Sequence, residues 1–155
     1  MRPSKVQQLI EKGVRIDCPD SIQIGAEVDV DHISGDGVVL YAGSKIFGHS
    51  TVISRDVKIG LEGPATIKDC QLGAGVELKG GFFEKAVFLE KARAGLGAHV
   101  REASIFEEQC RIAHTVGTKH TILFPFVTLG SLINFCDCLM AGGTNRKNHS
   151  EVGSS

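Results

Sequence analysis

Tryptophan is missing from this chain and tyrosine occurs once, while Val and Ile are frequent, which suggests thin, regular packing layers rather than one bulky globular core. Charge of one sign is not in excess either: 17 basic against 18 acidic residues give a formal net charge of −1. That balance offers no electrostatic basis for a nucleic-acid or membrane-surface partner. No apolar run approaches the roughly 18 residues a membrane span requires, and Met-Arg-Pro-Ser-Lys-Val-Gln-Gln-Leu-Ile lacks the apolar core of a signal peptide. A soluble cytoplasmic protein is the expectation. The five cysteines are odd in number and lack framework spacing, which fits small buried hydrophobes in a reducing compartment. No Gly-Lys dipeptide occurs, and none of the Gly-x-Gly triplets has a glycine three residues later. Phosphate-loop and dinucleotide signatures are therefore absent, and with them any visible site for nucleotidyl transfer.

What is present is glycine, at 19 positions, and hydrophobic residues at 42% over 155 residues, enough for one domain with a real core. Residues 4 to 12 predict a short helix. Ser4 and Gln7 have the form of a capping box, Val6, Leu9 and Ile10 make an apolar stripe, and Gly13 suits the stop. The domain division is then 1–13 for the helix and 14–155 for the rest.

Beyond Gly13 the chain repeats itself. Tetrads ending in an aliphatic-Gly pair occur at Ile22-Gln-Ile-Gly, Val57-Lys-Ile-Gly, Cys70-Gln-Leu-Gly, Ala94-Gly-Leu-Gly, His114-Thr-Val-Gly, Val127-Thr-Leu-Gly and Ser150-Glu-Val-Gly. Their separations fall near multiples of six, a period that suits neither a helix nor a simple alternating strand. It suits a solenoid of short strands joined by tight corners, with aliphatic residues inward and glycine or another small residue at the corners. Departures from the period are expected as loops at Ser34–Gly37, Leu61–Pro64, Gly80–Gly81 and Gly142–Ser150. The last contains Arg146, Lys147 and His149, residues suited to an anion. After the last tetrad, a solenoid end is expected to need a cover from a further coil or another chain.

The pattern resembles the hexapeptide-repeat left-handed parallel β-helix, which implies an all-β fold preceded by the short helix. With about 18 residues per coil in that family, His120 would stack near Cys138, on the coil carrying Cys136. Within this resemblance, His120-Thr-Ile-Leu-Phe-Pro-Phe-Val-Thr-Leu-Gly-Ser-Leu-Ile-Asn134 is similar to the acetyltransferase β-helix of the bifunctional N-acetylglucosamine-1-phosphate uridyltransferase. The chain as a whole also resembles proteins related to UDP-N-acetylglucosamine pyrophosphorylase, although no uridyltransferase domain is visible.

The resemblance implies that His120 is a general base, that Asn134 assists, and that acetyl-CoA is the co-substrate. The acceptor would be an amino-sugar phosphate or a sugar nucleotide. Substrate-binding candidates are His114, Lys91, Arg93, Asn145 and Arg146, the second and third from Glu90-Lys-Ala-Arg93. A homotrimer is implied too, and Leu123-Phe-Pro-Phe126 and Phe135 are expected at its contacts. The family's tyrosine after the histidine is Leu123 here, and its local Gly-Asp is Pro125-Phe126. A non-catalytic module that binds a sugar nucleotide or drives oligomerisation is the alternative. A γ-carbonic-anhydrase-like zinc site would draw on His49, His114 and His120, or on Cys136-Asp-Cys138 with His120, but no metal is expected.

Overall fold

In the computed structural model, which describes residues 2–154, the helix spans Lys5–Lys12. The Ser4 hydroxyl accepts from the Gln7 N–H at 3.1 Å, and Gly13 closes the helix with a φ of 116°. The capping box forms only by half: the Gln7 side chain turns to Glu11, 3.4 Å away, instead of reaching back to residue 4. Leu9 on the inner face is fully buried, so the helix lids the first coil of the solenoid.

From Arg15 onward the chain winds through three parallel sheets of eight, seven and six strands, here called A, B and C. Each coil after the first contributes one short strand to each sheet in turn, the first meeting sheet C only through the bridge from Ile33 to Ile53, so the molecule is a left-handed triangular β-helix. The central coil is typical, with Ala98–Val100 in sheet B, Ser104–Phe106 in sheet C and Arg111–Ile112 in sheet A. Alternation along each strand turns one side chain in and the next out: Ala98 and Val100 are buried while His99 is exposed. The interior column of aliphatic residues is thickened at one level by Phe83, Phe88 and Phe106. Phe88 stacks on Phe106 at 4.5 Å between ring centroids, and Phe83 meets Phe88 edge-on at 5.8 Å.

Ladder register measures the coil directly. Gly117 lies opposite Asn134 and Ile105 opposite Ile122, both 17 residues on, whereas Arg93 lies opposite Arg111, 18 on. A coil slightly shorter than 18 corrects the expected stacking: at the corner His120 meets Asp137, while Cys138 falls one position later. The tetrad at Ala94-Gly-Leu-Gly is also out of phase. Ala94 is the inward residue there, and Leu96 stands 41% exposed beside a corner. Gly80–Gly81 does not bulge; Gly81 opens the strand Gly81–Glu84 in register with Ala65 and Ala98. A Cβ on Gly81 would sit 2.2 Å from the Ala98 carbonyl, which is why glycine stands there. The loop at 142–150 is real: the step from Thr128 to Glu151 in sheet A is 23 residues, against 17 from Arg111 to Thr128.

The corners are less glycine-dependent than the repeat suggests. Lys85, Ala103, His120 and Asp137 stack at the corner between sheets B and C, all at positive φ. Lys91, Gln109 and Phe126 do the same between C and A, and Thr115 and Leu132 between A and B. One left-handed residue per corner is what the coil geometry demands, and the neighbouring coils hold non-glycine residues in that conformation.

Candidate functional site

The three faces of the prism differ chemically. Outward positions of sheet C in successive coils are Val87, Ile105, Ile122 and Leu139, an aliphatic stripe. Outward positions of sheet A are charged: Lys58, Glu77, Arg93 and Arg111 follow one another up the ladder. Loop 142–150 swings back over this second face and walls a groove of about 650 Å³, lined by Arg93, Arg111, His114, Arg146, His149 and Glu151 among others.

The loop is anchored by its own chemistry. Asn145 Oδ1 accepts from the N–H groups of Lys147 and Asn148 at 2.8 and 2.9 Å, so its carboxamide oxygen shapes the turn. Arg146 then reaches inward, donating through Nη2 to Gln109 Oε1 at 3.3 Å, with its guanidinium carbon 5.2 Å from the centre of the Phe126 ring. Its buried Nε meets no acceptor among the described residues. Burial, and after it the charge of Arg111, pushes the Arg146 guanidinium down from its ordinary range.

Carboxylates offset only part of this charge. Arg93 pairs with Glu77 at 3.7 Å, Lys79 with Glu62 at 3.1 Å and His149 with Glu151 at 3.4 Å. Among the described residues, Arg111 and Arg146 enter no ion pair. Two unneutralised guanidiniums converging on a concave face make an anion-binding arrangement, suited to phosphate through their planar donor forks.

Four of the residues singled out from the sequence therefore meet in one groove: His114, Arg93, Arg146 and His149. His114 stands at the corner between sheets A and B, its Nδ1 3.1 Å from Thr115 Oγ1. Lys91 lies on the C/A corner, outside the groove lining. Arg111 escapes the sequence reading, although its place 18 residues after Arg93 marks it as the same position one coil on.

His120 and Asn134 lie elsewhere. Asn134 opens the strand Asn134–Cys136 opposite Gly117, and His120 follows the other end of that strand pair, at the B/C corner. No hydrogen bond joins them, and about three residues, or ~10 Å, separate their positions along the strand direction. His120 has different partners: Nδ1 is 3.2 Å from Asp137 Oδ1, and Nε2 is 4.0 Å from Glu102 Oε1. An imidazole clasped by a carboxylate on one nitrogen is held in one orientation, as a base with an orienting partner requires. In a triangular prism the B/C corner is opposite face A, so one chain cannot bring His120 into its own groove. Leu123 is fully buried in the core and unavailable for subunit contact, while Phe135 packs partly against that core. Among the described residues, no group of three or more His, Cys, Asp or Glu side chains is placed to hold a metal ion. No helix among them is long and apolar enough to cross a membrane.

No family model matches the chain. Two similar proteins are both called bifunctional protein GlmU. That of Trichlorobacter lovleyi is 29% identical over 117 residues, 75% of this chain and 24% of the relative. That of Geobacillus sp. is 31% identical over 119 residues, 77% of this chain and 24% of the relative. The chain thus spans about a quarter of the length of the relatives it matches. Fold and similarity agree: this chain is a left-handed parallel β-helix resembling the acetyltransferase domain of the bifunctional GlmU proteins.

Proposed function

We propose that the chain is an acetyl-CoA-dependent N-acyltransferase acting on an amino-sugar phosphate or a sugar nucleotide. The observation that carries this reading is the groove on sheet A, where Arg93, Arg111 and Arg146 surround a cavity large enough for a sugar phosphate. Its arginines hold the anionic group, and His114 sits at its rim. Similarity to the bifunctional GlmU proteins supports transfer of an acetyl group as the chemistry.

His120 is the proposed base. It takes a proton from the sugar amine, the nitrogen bonds to the thioester carbon, and the carbon–sulfur bond breaks to release CoA. Asp137 keeps the ring oriented, and Asn134 hydrogen-bonds the substrate or the acyl carrier. Because His120 lies on the corner opposite face A, this reading requires a neighbouring subunit to carry its corner to the groove, consistent with a homotrimer. The aliphatic stripe on sheet C supplies a face for such contacts. Acetyl-CoA as donor would place the reaction in the cytoplasm.

A second reading is favoured by one specific fact: His114, not His120, lines the groove of the same chain. There the base is His114 and no assembly is needed. Free CoA release from acetyl-CoA with a panel of amino-sugar phosphates, compared across wild type, His120→Ala and His114→Ala, separates the two. Loss only in His120→Ala supports the first and loss only in His114→Ala the second. No release with any acceptor removes both and leaves a non-catalytic binding module, which phosphate-ligand titration would then detect. Sedimentation equilibrium tests the trimer, which a clean monomer excludes.

A further inference from the structure

We propose that a second cavity, on face A towards the N-terminal helix, continues the arginine groove and takes the nucleoside of a nucleoside-diphosphate amino sugar. The inference rests on the groove being the anion site, and it narrows the acceptor to the sugar nucleotide.

One outward column runs through both cavities. Backbone hydrogen bonds place Asp17, Tyr41, Gly60, Lys79, Gly95 and Ala113 on successive rungs of sheet A. The first three line the second cavity, of about 600 Å³, and the last three line the groove. Glu62 borders both, and its pair with Lys79 at 3.1 Å marks where they meet. The loop carrying Glu62 is pinned to that rung, because the N–H groups of Glu62 and Gly63 both donate to the Lys79 carbonyl, at 2.8 and 3.1 Å.

The ladder sets the distance a ligand has to cover. Tyr41 stands three rungs below the level of Arg93, about 14 Å at ~4.8 Å per rung, and Arg111 lies one rung further. A single sugar ring held through its phosphate by these arginines leaves the second cavity empty. A nucleoside diphosphate extends into it.

Polarity reverses between the two cavities. The groove holds Arg93, Arg111 and Arg146, whereas no lysine, arginine or histidine is among the described residues lining the second cavity. Asp17, Glu62 and Tyr41 stand there instead. Each carboxylate is held by one cation, Asp17 by Arg15 at 3.7 Å and Glu62 by Lys79, and keeps lone pairs free for hydroxyl donors. An acidic side chain accepts from an unphosphorylated ribose diol, where an arginine would be needed to accommodate a ribose phosphate. Coenzyme A carries such a phosphate, so the second cavity disfavours the acyl donor and fits the nucleoside of the acceptor.

Tyr41, the single tyrosine of the chain, is half-buried and shares the lining with Ile16, Ala42 and Leu61. Its ring offers a stacking surface for a base. Gly60 keeps the floor beside it open: at φ 90° a side chain is disfavoured, and a Cβ would stand 2.8 Å from Ser44 Oγ.

The test is calorimetric titration of the full chain with UDP, GDP, inorganic pyrophosphate, glucosamine 1-phosphate and coenzyme A. Peptide-mapped alkylation of Cys18, which lines the second cavity, locates the ligand. The expected result is that a nucleoside diphosphate binds about ten-fold tighter than pyrophosphate and shields Cys18, with alkylation of Cys136 unchanged. Tyr41→Ala and Asp17→Asn should each lower that affinity towards the pyrophosphate value, and Tyr41→Phe should keep it. Unchanged pyrophosphate binding in all three variants reports an intact groove. Pyrophosphate binding with no gain from either nucleoside, an undiminished nucleoside preference in Tyr41→Ala, or shielding of Cys18 by coenzyme A alone would each overturn this inference and leave the arginine groove standing. Failure of all these ligands to bind would overturn the groove reading with it.

Discussion

His120 Nδ1 and Asp137 Oδ1 lie 3.2 Å apart because the coil between them is 17 residues long. One residue more or less per coil would separate them, so this pairing is a product of helix pitch. If His120 is the base, Asp137→Asn should lower kcat about ten-fold with little change in KM, and His120→Ala should lower it about a hundred-fold or more. Steady-state kinetics with the accepted amino sugar checks this; a larger loss in the asparagine variant than in His120→Ala would sink it.

The arginine groove makes its own forecast. A charge-assisted hydrogen bond to phosphate contributes about 1.5–3 kcal/mol, so Arg111→Ala or Arg146→Ala should weaken binding of a phosphate-bearing acceptor by about ten-fold or more. Calorimetric titration at low and high salt measures it, and raised salt should weaken the wild type most. Equal affinity in all three proteins would show that the anion binds elsewhere.

Inside the prism, Phe88 touches both Phe83 and Phe106. Phe88→Ala should cost about 3–5 kcal/mol in urea unfolding, since the rigid stack above and below cannot collapse into the gap. A loss under about 1 kcal/mol would mean that this layer repacks.

Buried thiols set an alkaline limit. Cys70 stays protonated to about 11 in the folded chain, against an ordinary value of 9.0. The folded state therefore holds more protons than the unfolded state between those values. Stability from this group is full below about pH 9 and falls as pH rises towards about 11, by at most about 1.4 kcal/mol per pH unit. Cys110 is shifted the same way. Denaturation midpoints measured from about pH 8 to about pH 11 should fall, and fall less steeply in Cys70→Ala. A flat profile in the wild type would contradict this.

Leu132 holds a left-handed corner at φ 64° with 73% of its surface exposed. A bulky residue there costs backbone energy and returns little burial. Leu132→Asn or Leu132→Gly should stabilise the monomer by up to about 1 kcal/mol, read as a rise in Tm. A fall instead would indicate that the exposed leucine is covered, as a subunit contact would do.

Much of the fold was legible because a coil imposes its phase on the chain. Val57, Ile59, Cys70, Leu72, Val116, Val127 and Leu129 all point inward as the repeat requires. The errors came where spacing alone could not report phase: Ala94-Gly-Leu-Gly satisfies the pattern but sits two residues out of step. The partnership of His120 with Asp137 was missed by one residue because a nominal coil of about 18 residues was assumed. The groove was half legible. Arg93 and His114 stood out singly, and Arg146 and His149 within one loop, but only the fold-back of loop 142–150 shows that they share a cavity with Arg111. Corner chemistry was harder still, because neighbouring coils hold Lys, Gln, Phe and Leu in backbone conformations that local preference assigns to glycine.

The division of the prism into a charged face on A, an aliphatic face on C and a mixed one on B, where Thr66, Phe82, His99, Gly117 and Asn134 follow one another, has an evolutionary consequence. An outward residue contacts its own ladder and little else, so substitutions on face A can retune its charge without touching the aliphatic stripe on C. The inward column, shared by all three sheets, has no such freedom. Diversification in this architecture should therefore run along faces, one ladder at a time, while the interior keeps a common alphabet of Val, Ile, Leu and Ala.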